Sequence, residues 1–233
     1  LVSTLETVGG VARLSDISAK VTETNSRLEQ ARVAFLAQLC SKLVVVNDDD
    51  HYHHSIALRV PHDEATLKSH VSSLIDAVKK IGEPKPIDHI AKQAGIEDVK
   101  HAEAIASTSK NLATLNGRWG LMKWPMVNPK NIRDKIYVIL HENGKHMHFN
   151  EISDAIKASE FKRKEVTTQA IHNELIKDKR FVLIGRGIYA LKEWGYEKGT
   201  VADIITEVLK KAGEPLHRDE IVKRVLKSRY VKE

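Results

Sequence analysis

The sequence predicts a mainly α-helical protein with small β-hairpin wings, organised as tandem winged helix–turn–helix domains. Three observations predict it. One pattern, a helix closed by a glycine turn and followed by a second amphipathic helix, recurs four times. Its glycines Gly10, Gly82, Gly144 and Gly213 stand 72, 62 and 69 residues apart. That spacing suits one small domain per repeat rather than a solenoid of units of ~35 residues. Residues 181–194 hold two short apolar runs around Gly185-Arg186-Gly187. Two β-prone runs joined by a short glycine-containing connection read as a hairpin. Glycine on either side of Arg186 is expected to supply the unusual φ of the turn. A related stretch at 115–125, again with Gly-Arg ahead of an apolar run ending in Lys and Trp, gives a second hairpin.

Within each repeat the elements follow from local chemistry. Glycine ends the first helix because it adopts φ > 0 without steric cost. Ser15, Asp88, Asn150 and Asp219 then lie near the start of the second helix, where a short polar side chain caps free N–H groups. Ile17, Ile90, Ile152 and Ile221 follow as core positions. A third helix is expected at about 26–43, 97–112 and 164–176, and a hairpin at 43–58, 115–124 and 181–194. The expected domains are 1–60, 65–125, 129–195 and 199–233, the last being the start of a fourth winged helix. Short joints containing proline or glycine separate them, none long enough for a disordered tether.

The chain opens on Leu1 rather than methionine and reads as a piece of a longer protein. With 42% hydrophobic and 29% charged residues it has an ordinary folded composition. No apolar run approaches the ~20 residues of a membrane span, so no membrane partner is expected. One cysteine, Cys40, excludes an internal disulfide and a zinc finger, and a reducing cytoplasm is the simplest location. Cys40 shares helical spacing with Phe35, Leu36, Leu39 and Leu43, which reads as core packing rather than a reactive thiol.

Net charge is +6, and all of the excess lies in residues 129–233, with 22 Lys and Arg against 16 Asp and Glu; residues 1–128 hold 15 of each. A basic balance favours a polyanionic partner through counterion release. The third copy carries the candidate nucleic-acid face. Lys162, Arg163 and Lys164 precede its third helix, and Thr167, Thr168, Gln169, His172 and Asn173 lie on it. Thr168 with His172, and Gln169 with Asn173, are four apart and share faces. Early residues of a recognition helix reach base edges or phosphates, and Gln and Asn pair with adenine. Lys179, Arg180 and the wing-tip Arg186 extend the candidate contact to phosphate or the minor groove.

The first two copies read differently. The second copy's third helix offers little basic charge, and Asp48, Asp49 and Asp50 at the first hairpin repel phosphate. Both suit protein docking. His51, His53 and Asp49 raise a metal site, but adjacent loop histidines lack distributed geometry and a supporting shell, so no metal and no cofactor is expected. No nucleophile, paired carboxylates or phosphate loop stands out, so no enzymatic activity is expected.

Copies two and three resemble the HARE-type helix–turn–helix domain, the family of the N-terminal domain of the bacterial RNA polymerase delta subunit. The resemblance is carried by residues 144–152, 182–191 and 119–125. The tandem arrangement also resembles the C-terminal part of bacterial sigma-factor-like proteins. The resemblance implies a transcription-associated, DNA-binding protein with DNA and RNA polymerase as partners. Two alternatives stand beside it: a protein–protein adaptor without nucleic-acid contact, and an accessory DNA-recognition part of a nuclease or helicase. The oligomeric state is not specified by these features.

Overall fold

The structure is a computed structural model describing residues 1–23, 26–60, 63–161, 165–196 and 201–228. Among these residues it is mainly helical, with three small antiparallel sheets of three strands. The chain divides into two compact units, Leu1–Asn128 and Pro129–Glu233.

The first unit begins with α1 (Val2–Thr7), β1 (Val11–Arg13), α2 (Leu14–Thr22), α3 (Arg27–Leu39), β2 (Leu43–Val46) and β3 (Ser55–Leu58). The second copy repeats the order as α4 (Glu64–Ile81), β4 (Lys85–Pro86), α5 (Ile87–Ala94), α6 (Val99–Thr108), β5 (Leu112–Leu115) and β6 (Arg118–Leu121). In the second unit the third copy gives α7 (Ile132–Asn143), β7 (Met147–His148), α8 (Phe149–Ala158), α9 (Thr168–Lys177), β8 (Phe181–Leu183) and β9 (Ile188–Leu191), and α10 (Val201–Ala212) and α11 (Arg218–Ser228) follow.

Each of the three sheets places the short strand that follows the first helix against the last strand of the hairpin, in the orders β1-β3-β2, β4-β6-β5 and β7-β9-β8. In the third, Met147 faces Tyr189 and Phe181 faces Leu191. These first strands extend the expectation of three helices and a hairpin. The four repeat glycines all have positive φ: 85° at Gly10, 78° at Gly82, 68° at Gly144 and 70° at Gly213. Ile17, Ile90 and Ile152 are buried as expected.

Three local expectations are corrected. The second hairpin begins at Leu112, inside the stretch read as the third helix, and turns at Asn116 and Gly117, which have φ 50° and 72°. Two successive residues with positive φ match the twist of the flanking strands. Asn150 is not the cap of α8; His148 is, with its ring accepting the Asn150 N–H while Glu151 accepts the His148 N–H at 2.8 Å. His217 takes the same part ahead of α11, its Nδ1 accepting the Asp219 N–H at 3.4 Å. Finally, Phe35, Leu36 and Leu39 do not pack with Cys40 in a core. The buried face of α3 is Val33, Ala34 and Ala37, whose small side chains let the helix sit close to α2 and β2.

The first two copies share a core, beside a second cluster that the first copy builds from Leu5, Ile17, Val33 and Ile56. On α4, Leu67, Val71, Leu74 and Val78 recur at helical spacing and are buried. They pack with Ile105, Leu112 and Trp119 and, from the first copy, with Val11, Val46 and Ala57. Polar ties close the junction. The His53 N–H donates to the Thr108 carbonyl and the Lys110 N–H to the His51 carbonyl, each at 2.8 Å. His101 Nδ1 donates to the Gly9 carbonyl at 2.8 Å, and Arg13 Nε donates to the Ser107 carbonyl.

Candidate nucleic-acid interface

The third copy positions its third helix by three devices. The Thr167 hydroxyl accepts the Ala170 N–H at 3.2 Å and so starts α9. Ile171 and Leu175 turn inward and are fully buried. Arg133 on α7 pairs with Glu174 at 3.1 Å. The opposite face of α9 carries exposed Gln169, Asn173 and Lys177. Gln169 Nε2 donates to Asn173 Oδ1 at 3.1 Å, so this pair does share a face. Lys177, also exposed, continues the stripe one turn on, a candidate missed in the sequence although its i, i+4, i+8 spacing was there to read.

A chain of rings runs from the cap of α8 to the flank of α9 and on to β9. His148 stacks on Phe149 with centroids 4.4 Å apart, Phe149 meets His172 edge-on at 5.1 Å, and His172 meets Tyr189 at 6.2 Å. Tyr189 is buried, and burial raises its phenol above the ordinary value. Gly187 packs directly on His148 and Phe149. The ring chain therefore links Gly187 at the tip of the third hairpin, through His148 and Phe149, to His172 on α9. At that tip Arg186 is exposed and makes no hydrogen bond or ion pair among the described residues. Only one of its two glycines has the expected unusual backbone: Gly187 has φ 72°, and Gly185 is outside the left-handed region.

Several candidates take other places. Lys162, Arg163 and Lys164 lie outside the described residues. Thr167 is the helix cap and exposed, whereas Thr168 is half-buried with its hydroxyl 3.3 Å from that of Ser153 on α8. Thr168 and His172 are both half-buried, His172 lying between the rings of Phe149 and Tyr189. The Arg180 guanidinium is committed to carboxylates within the third copy. It binds Asp178 at 2.7 Å and Asp134 at 3.3 Å, and it lies over the rings of Tyr137 and Phe181. The bond from Arg180 holds the Asp178 carboxyl below its usual value, and Asp178 in turn raises Arg180. Lys179 is exposed, but it sits at the opposite end of the hairpin from Arg186.

The corresponding helices of the first unit present other surfaces. One face of α6 is covered by the first copy. His101 is 6% exposed, Ala104 8% and Thr108 5%, beneath the junction formed by Gly9, β1 and the first hairpin. The acidic hairpin belongs to the same junction: Asp48 pairs with Lys110 at 3.0 Å, and Asp49 accepts the N–H groups of His51 and Tyr52, each at 2.7 Å. Among the described residues no three His, Cys, Asp or Glu side chains form a group able to hold a metal ion, and no helix is long and apolar enough to cross a membrane.

The class these features define, among the described residues, is a mainly helical protein with three small antiparallel three-stranded sheets. Comparisons with protein-family models, curated proteins and solved structures give no match.

Proposed function

We propose that the chain is a tandem winged-helix protein of the HARE type acting in bacterial transcription. The third copy binds duplex DNA, and the first unit docks on RNA polymerase or another protein. One observation carries the reading: the three third helices present different faces. One face of α6 is covered by the first copy, α3 carries an exposed apolar stripe, and α9 offers a polar face, Gln169, Asn173 and Lys177, near a hairpin-tip arginine that makes no hydrogen bond or ion pair among the described residues. The element order and sheet order of each copy support the winged-helix assignment. The placement of all +6 of net charge in residues 129–233 supports a polyanionic partner.

In this reading α9 enters the major groove. Gln169 and Asn173 meet base edges, Lys177 meets phosphate, and Arg186 reaches phosphate or the neighbouring minor groove. The protein is a binding module rather than an enzyme, at home in the cytoplasm. The adaptor alternative draws on the apolar face of α3 and requires no nucleic-acid contact. Anisotropy titration of a labelled duplex with the full chain separates the two. Binding at low salt should weaken steadily as salt rises, and Arg186→Ala should lower the salt slope by about one phosphate without changing thermal stability. Absence of binding at low salt, or binding indifferent to salt, overturns the DNA reading.

A further inference from the structure

The third helix of the first copy, α3, is apolar on two opposite sides. Val33, Ala34 and Ala37 face inward, where the helix packs on α2 and β2. On the other side Leu28, Phe35, Leu36 and Leu39 are 61%, 60%, 60% and 68% exposed. Leu28, Arg32, Phe35 and Leu39 follow i, i+4, i+7 and i+11, which is one straight stripe along a helix. Leu36 lies beside it. Single exposed leucines are ordinary, but an aligned set marks a surface meant to be covered.

We infer that this stripe pairs with the same stripe of a second copy of the chain, antiparallel about a two-fold axis. The order of side chains selects that occupant. An antiparallel pair centred between Val33 and Ala34 sets Leu28 against the second copy's Leu39, Arg32 against its Phe35, and the small Ala31 against its Leu36. Every contact occurs twice, as an isologous interface requires. The Arg32 guanidinium meets an aromatic face, a favourable cation–π contact. Its charge is already balanced by Glu29 at 2.6 Å. A parallel pair would bring Arg32 against Arg32, which disfavours that arrangement. With roughly 200 Å² of surface per large apolar residue, the stripe exposes on the order of 500 Å² per copy, so a pair buries about 1,000 Å², at the low end for specific interfaces. The dimer is therefore reversible and concentration-dependent.

Sedimentation equilibrium of the full chain from roughly 5 to 300 µM tests this. The mass should rise from the 26.2 kDa of one chain towards twice that value. Phe35→Lys sets an ammonium against Arg32 and should weaken the dimer at least about tenfold. Adding Arg32→Glu to Phe35→Lys restores opposite charges across the axis and should recover most of the loss. These positions are exposed, so circular dichroism melts at about 5 µM, where the parent is mostly a single chain, should match the parent. A one-chain mass at every concentration overturns the proposal and leaves the stripe to a different protein. Masses beyond two chains, a Phe35→Lys dimer as tight as the parent, or a double variant no tighter than Phe35→Lys alone overturn it equally.

Discussion

Gly187 closes the third hairpin where two requirements meet, and replacing it measures both. Its φ is 72°, and a Cβ there would lie 2.5 Å from His148 Nε2 and 2.9 Å from Phe149 Cε1. The loop cannot simply retreat, because the Gly187 carbonyl accepts the Phe149 N–H at 3.0 Å at the start of α8. A non-glycine residue in the left-handed region costs about 1–2 kcal/mol. Overpacking against the two rings adds about 1–3 kcal/mol. The stiffer unfolded chain offsets about 0.4–1 kcal/mol of this. Gly187→Ala should therefore destabilise the third copy by about 2–4 kcal/mol. Gly185→Ala is the matched control. Gly185 lacks positive φ, and the nearest approach of its Cβ would be to the flexible Cδ1 of Ile188 at 3.3 Å, with Ile188 Cβ at an ordinary 3.5 Å, so its cost should stay below about 1 kcal/mol. Urea unfolding followed by hydrogen exchange in peptides covering β9 and α8 reports both. Equal losses for the two alanines would refute the argument that the ring chain and backbone of Gly187 fix the wing tip.

Two further outcomes follow from polar and backbone contacts. Arg180→Ala should cost about 1–2 kcal/mol, since the partly exposed guanidinium is screened while two carboxylates lose their partner. The folded-state pKa of Asp178 is depressed by Arg180. The stability it contributes is thus full above the unfolded-chain value of about pH 4 and is lost as pH falls through the lower folded value. Acid titration of stability should show a shallower loss in Arg180→Ala than in the parent; identical curves would contradict the pairing. Gly9→Ala places a Cβ 2.6 Å from the Lys100 carbonyl oxygen at a residue with φ 92°. It should loosen the junction of the first two copies, seen as faster exchange of the His53 and Lys110 amides. Unchanged exchange there would show that the junction yields without cost.

Much of this architecture was legible because its signals are local. The glycine turns at Gly82, Gly144 and Gly213 and the inward isoleucines needed only periodicity and backbone sterics. The short strands β1, β4 and β7 were not legible, because each is defined by pairing with a strand many residues later. Lys85-Pro86 has no strand signature of its own. The Asn116-Gly117 turn was present as a local signal, but the Gly-Arg likeness to the third wing drew the hairpin too far along the chain. On α3 the spacing put Phe35, Leu36 and Leu39 in the core, and the structure turns all three outward. The small Ala34 and Ala37 go inside and Phe35 stays out, because close helix packing favours them. Arg180 counted as surface charge in the sequence; that Asp134, 46 residues earlier, meets it is a tertiary fact. The candidate site was thus readable as a helix and a wing, and the division of its residues between packing and solvent was not.

The central claim is that one face of one copy meets DNA. Hydrogen exchange of the full chain with and without a saturating duplex, at low salt, reads it most directly. The account predicts protection confined to the start of α9 and the tip between β8 and β9, with α3 and α6 unchanged by the duplex. Protection centred on the first unit, or none in the third copy despite measurable binding, would contradict it.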